Sequence, residues 1–394
     1  MADRRTFMGT HGFTLTELIV VMAIFMSVLI ITATAFNTVL TNSGQQIKSA
    51  ETQIEGIVGL ELLRSDIQHA GFGLPWAFMT PITYNEGSVA TSAGVDISGL
   101  KDDNNVPRAV LSVNNAGLNG SDYLVIKSTV SSLTTTAKKW TYLHYSSVGT
   151  TNRSTAKVWN SPADLVDGER VTVVRSSFVN GVLNKQLVAS GGSFFTQVSI
   201  NSGKVSVPTE FSPPSSTDTY LIYGIAPKKD SDTNFDPRMP FNRTDYYIKR
   251  PSAMPGGCAP HTGVLYKAIM NHSNGEFTEI PLVDCVAGMQ IVYSMDSSGS
   301  GGIDSHRDAS FGTPGAQGPL PSAADLRQQL REIRVSILAQ DGKKDMGFTY
   351  PNQTITLGEF DMGKDFDLAA TIGADWSHYR WKIYTIVIQP KSLN

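Results

Sequence analysis

Between Leu18 and Leu40 the chain carries no charged residue. This apolar run of about 23 residues would make a helix roughly 35 Å long, enough to span a bilayer core. From Gln45 to His69 the pattern becomes amphipathic. Ile47, Ala50, Ile54, Ile57, Val58 and Leu62 recur at three- and four-residue steps, while Lys48, Glu51, Gln53, Glu55, Glu61 and Arg64 fill the remainder. The spacing predicts a helix that docks the Ile47-to-Leu62 face on a globular body. Gly44, Gly56 and Gly59 each weaken that helix by up to about 1 kcal/mol against alanine, and Gly44 marks the expected bend. Gly71-Phe72-Gly73-Leu74-Pro75 predicts the helix end near Gly71.

Beyond the helix the period shortens to two. Tyr123–Lys127, Arg170–Val174, Phe194–Ile200 and Thr219–Ile225 are candidate strands in a region rich in Ser, Thr, Asn and Gly. Val286 to Tyr293, Ile333 to Ile337 and His378 to Val387 predict three more. Ser322 and Asp325 have the spacing of a capping box for a short helix through Leu330. The implied class is α+β: a long N-terminal α-helix packed on an antiparallel β-sheet, with an enlarged β-rich insertion.

With 394 residues, 41% of them apolar and 17% charged, the chain can bury a sizeable core in one large or two modest domains. Arg4 and Arg5 precede the apolar run, which puts the N-terminus on the cytoplasmic side and the bulk of the chain outside. The net charge of −3 offers no nucleic-acid footprint.

An ordinary secretory signal is cut after its apolar core. Here the candidate cut, Gly12/Phe13, lies before it, so the apolar run would be retained. The stretch Gly12-Phe13-Thr14-Leu15-Thr16-Glu17-Leu18 resembles the class III signal of type IV pilins and pseudopilins. The resemblance implies cleavage between Gly12 and Phe13 by a prepilin peptidase that also N-methylates Phe13. Cleavage would change the formal charge to −4, because the leader holds Asp3, Arg4 and Arg5. A carboxylate near the end of a membrane helix is costly unless partnered. The family's answer, carried to this chain, is a pairing of Glu17 with the freed N-terminal ammonium of an adjacent subunit.

Leu62 to Phe72 is similar to the helix end of PilW-type minor pilins, with a basic residue, an aspartate and Ala-Gly-aromatic as Arg64, Asp66 and Ala70-Gly71-Phe72. The Val286–Tyr293 strand, the loop after it, the Val335-centred strand and the Tyr379-Arg380-Trp381 strand also resemble that group. The resemblance covers roughly the first 75 and last 140 residues. It implies a leader at 1–12, a pilin helix at 13–72 with its transmembrane part at 18–40, a β-rich variable region at 73–254 and a C-terminal sheet region at 255–394. It further implies a minor pilin that primes or caps pilus assembly near the tip, held in the inner membrane with its C-terminal domain in the periplasm before assembly. Expected partners are the peptidase/methyltransferase and other minor and major pilins, with no cofactor. A minor pseudopilin of a type II secretion system and a tip adhesin are the alternatives.

Two cysteines, Cys258 and Cys285, favour a disulfide in an extracytoplasmic chain. With His261 and His272 they also make a Cys2His2 zinc set, although only Cys258 and His261 have the close pairing such sites use. The loop Asp296 to Asp304 departs from an EF-type calcium loop: Asp296, Ser298, Ser300 and Asp304 offer weak ligands, and Arg307 stands where the bidentate glutamate belongs. The chain has no Gly-x-Ser-x-Gly elbow, His-Glu-x-x-His motif or Walker loop, so the expectation is a non-enzyme.

Overall fold

The computed structural model describes residues 14–145, 154–160, 162–179, 181–201, 204–229, 234–310 and 321–393. The chain divides after Glu51 into two compact units. Helix α1, Leu15–Gln68, begins in the first and ends in the second. In the first unit every side chain from Leu15 to Leu40 is exposed, and this 26-residue stretch is long and apolar enough to cross a membrane. Gly44 lies inside the helix rather than at a break.

The second unit is largely β. Its strands are β1 (Ala77–Phe78), β2 (Val110–Val113), β3 (Tyr123–Ser128), β4 (Trp140–Tyr145), β5 (Ser154–Ala156), β6 (Arg170–Val179) and β7 (Val182–Val188). They continue with β8 (Thr219–Ala226), β9 (Asn242–Lys249), β10 (Gly263–Met270), β11 (Phe277–Met295), β12 (Ser305–Asp308), β13 (Leu330–Asp341) and β14 (Arg380–Ile388). An eight-stranded antiparallel sheet runs β14-β13-β11-β10-β9-β3-β2, with β12 added beside β11. It draws strands from both sides of residue 254. A seven-stranded sheet runs β1-β7-β6-β8-β4-β5, with Thr196–Gln197 joined to β6. The long apolar run at Phe194–Ile200 is therefore not one strand; it breaks at Val198 into Thr196–Gln197 and Ser199–Asn201.

Strand β3 explains how the large sheet is packed. Leu124 and Ile126 face the main core, while Tyr123 and Val125 face a second cluster built with Val95, Ile97 and Leu100. Alternate residues thus point to opposite faces, and both faces are covered. The main core also takes Leu60, Leu63 and Ile67 from the end of α1.

This docking face corrects the sequence expectation for Ile57, Val58 and Leu62; the side chains of Ile47, Ala50 and Ile54 lie outside the described part of the helix. Ile57, Val58 and Leu62 are exposed, at 64%, 59% and 40% of their surface, whereas Leu60, Leu63 and Ile67 are buried. The reason is backbone approach. A Cβ on Gly59 would overlap the Leu282 carbonyl, so the glycine that weakens the isolated helix is what lets it sit against β11. The helix ends at Gln68, close to the Gly71 signal. Gly71 adopts φ +83°, donates to the Lys127 carbonyl at 2.9 Å, and has no room for a side chain beside Leu393 and Ala109. Between the sheets' later strands, α2 (Ala323–Gln329) starts at the expected capping box, with the Ser322 hydroxyl accepting from the Asp325 amide.

Candidate functional site

Gly12 and Phe13 lie outside the described residues. The first described turn places Glu17 beside Thr14. Its Oε2 accepts from the Thr14 amide and hydroxyl, both at 2.9 Å, while the Glu17 amide donates back to Thr14 Oγ1 at 3.3 Å. Thr14-Leu15-Thr16-Glu17 is thus a capping box, and the carboxylate sits at the positive end of the helix dipole. Among the described residues Oε1 has no partner. The box is legible in the sequence as Thr14-x-x-Glu17.

At the other end of α1, Asp66 is buried. Its Oδ2 accepts from Lys267 Nζ at 2.6 Å and from the Tyr246 hydroxyl at 2.7 Å. Burial raises the Asp66 pKa, and Lys267 and Tyr246 only partly oppose that rise. The neighbouring backbone is tied down as well: Lys391 N donates to Gln68 O and Thr129 N to Phe72 O, both at 2.9 Å. Sequence reading noted Asp66 and missed its partners. The signal was Lys267, a cation in the middle of the apolar strand β10.

A second buried ionic group joins β3 and β9 to the segment before β2. Lys127 Nζ lies 2.6 Å from Glu86 and 2.5 Å from Asp102; Arg243 reaches Glu86 at 3.0 Å and Asp245 at 2.8 Å; Arg108 holds Asp102 at 2.5 Å. Three cations meet three carboxylates in this group. Burial works against the Arg243 charge, yet Asp245 and Glu86 hold its pKa above the usual value. For Asp102, burial is likewise outweighed by Lys127 and Arg108, which lower its pKa. The group is charge-balanced and buried, and removing any one member would leave an opposite charge uncompensated.

Cys258 and Cys285 form a disulfide, with Cα atoms 5.0 Å apart. This removes the zinc alternative, because both sulfurs are consumed. His272 is engaged elsewhere: Nδ1 accepts from the Arg238 amide at 3.2 Å and Nε2 meets Asn242 Oδ1 at 3.1 Å. Burial, with Arg170 and Arg238 adding repulsion, pushes its pKa down to about 4.

The loop after β11 uses its carboxylates to close on itself. Asp296 accepts from the Ser300 amide at 2.9 Å, the Gly301 amide at 2.8 Å and the Arg331 guanidinium at 2.7 Å. Asp304 accepts from the Ser297 and Ser298 amides at 2.8 Å. Hydrogen bonds from Ser298 and Ser297 bring the Asp304 pKa down to about 2. Ser298 and Ser300 enter through backbone N–H rather than as oxygen ligands, and Arg331 supplies the positive charge that calcium would bring. The arrangement of Asp296, Ser298, Ser300 and Asp304 is that of a self-capped turn.

No family profile, curated protein or solved structure matches this chain.

Proposed function

We propose that the chain is a minor type IV pilin, cut between Gly12 and Phe13 and N-methylated at Phe13, which enters a filament at low copy and primes or caps it near the tip. The reading is carried by one observation: Glu17 caps the start of an apolar helix whose side chains from Leu15 to Leu40 are all exposed, and it keeps Oε1 unengaged among the described residues. A neighbour's N-terminal ammonium could pair with that oxygen without breaking the box. The exposed apolar stretch Leu15–Leu40 suits lipid before assembly and neighbouring helices after it.

The β-rich body is large for a repeating subunit and favours a low-copy place in the filament. Its role is structural, with the inner membrane as the store before assembly and the periplasm as the site of folding. The Cys258–Cys285 disulfide suits that oxidising compartment.

N-terminal sequencing and mass measurement of the membrane-extracted chain test the processing step. The expected product begins at N-methylphenylalanine 13 and retains the apolar helix. An uncut chain, or one cut after Leu40, would overturn the reading. Immunogold labelling then distinguishes a pilus tip from a secretion pseudopilus.

A further inference from the structure

In the second unit, beside α2, lies an open groove of about 480 Å³ lined by Trp76, Lys101, Asp102, Arg108, Ser322 and Arg327. Two cations converge on its indole. Lys185 Nζ is 4.8 Å and the Arg327 guanidinium carbon 5.0 Å from the centroid of Trp76. Both side chains are half-buried, and neither meets a carboxylate among the described residues. Other half-buried cations of this unit do meet carboxylates: Arg175 meets Asp218, Arg331 meets Asp296, and Arg334 meets Glu332 and Glu359.

An indole face attracts a cation but supplies no formal charge. Placing two cations on one ring leaves their mutual repulsion uncompensated. Burial lowers the pKa of Lys185, and the Arg327 charge lowers it further; burial alone lowers that of Arg327. Within the groove, Asp102 cannot serve as counter-charge, because Lys127 and Arg108 already hold it. Arg108 uses Nε on Asp102 and Nη2 on the Gly99 and Lys101 carbonyls, so Nη1 remains without a partner among the described residues.

We propose that this groove binds a multiply charged oxyanion of the phosphate class. Guanidinium forks match phosphate oxygens, and two guanidinium groups, Arg108 and Arg327, line the groove. A monocarboxylate would answer one fork and leave the other cations unpaired. The groove has the size of a small-molecule site. The proposal stands independently of the pilin reading, since it uses only residues of the second unit.

The test is calorimetric titration of the full chain, in zwitterionic detergent micelles, with inorganic pyrophosphate at constant ionic strength. Saturable binding is expected, weakened about tenfold or more by Arg327→Gln, and unchanged by Lys382→Met on the exposed part of β14. If Arg327→Gln fails to fold, Arg327→Lys, which keeps the charge but loses the guanidinium fork, decides alone and should also weaken binding. Competition by glucose 6-phosphate would identify a free phosphate ester, and competition by short-chain phosphatidylglycerol a lipid headgroup. Absence of saturable binding at about millimolar pyrophosphate overturns the proposal, as does equal affinity in wild type and the Arg327 variants.

Discussion

Helix α1 carries a carboxylate near each end, and the two live in opposite surroundings. Asp66 is buried and engaged by Lys267 and Tyr246 of the sheet, whereas Glu17 is exposed and held only by Thr14, three residues away. The same contrast separates the regions around them. Between Leu15 and Leu40 every side chain is exposed, while the second unit pairs buried charges such as Lys127, Arg243 and Lys267 internally. A region whose polar and apolar groups are satisfied at home is built for stability. One that leaves its apolar side chains exposed depends on lipid or a second molecule.

Breaking the pair at the buried end should have the largest effect. Asp66→Ala leaves Lys267 almost fully buried with no counter-charge, a change that costs about 3–5 kcal/mol. Chemical denaturation of the detergent-solubilised chain measures it, and Asp66→Ala combined with Lys267→Met should recover most of the loss. A loss below about 1 kcal/mol would mean that water reaches the pair, and the contrast with Glu17 would collapse.

Removing the disulfide probes the same unit at a distance from α1. Cys258 and Cys285 are 27 residues apart, and in the chain-entropy model a loop of that size stabilises by roughly 3–4 kcal/mol. Cys258→Ser with Cys285→Ser should lower the midpoint of unfolding accordingly. The effect should add to that of Asp66→Ala if the two sites are independent.

A third test uses pH. The His272 pKa is about 4 in the folded chain against 6.5 as its ordinary value. As pH falls from 7, the unfolded state takes up the proton first, so stability is lost between about 6.5 and 4 and is constant below. The loss from this group is about 3 kcal/mol. Asp122 acts in the opposite sense: burial, with Asp308 adding repulsion, raises its pKa to about 7, so stability rises as pH falls from 7 towards 3.8. The raw profile mixes the two. The stability difference between wild type and His272→Gln isolates the histidine and should change by about 3 kcal/mol between pH 7 and 4. A constant difference would place His272 in contact with water.

How much of this was legible follows from the range of each interaction. Local signals were readable: the apolar run, the glycine at the helix end, the capping box at Ser322 and Asp325, and the alternation of β3, β6, β8 and β14. The docking face of α1 was misread because periodicity counts apolar side chains, while the approach to β11 is decided by Gly59, which has none. The partners of Asp66 lie 180 and 201 residues away, and no spacing rule reaches that far. Charge balance in the Lys127 and Arg243 group was hidden for the same reason. At the N-terminus the residues that would be cut lie outside the described chain, so that part of the site rests on its motif.

The smallest expected effect on stability belongs to the residue proposed to matter most for assembly. Glu17→Ala removes one side of an exposed capping box, which loosens only the first turn of the helix and leaves the packing in the second unit untouched. If the proposed pairing with a neighbour's ammonium holds, the variant should insert in membrane, be cut at Phe13 and unfold like wild type, yet fail to enter filaments. Glu17→Gln sharpens the point, because the amide can still accept from Thr14 but carries no charge to meet an ammonium. Normal incorporation of Glu17→Gln would show that capping alone accounts for Glu17, and the two ends of α1 would then differ in burial but not in purpose. Failure of both variants, with the unfolding midpoint unchanged, would assign the exposed carboxylate to a partner outside the chain.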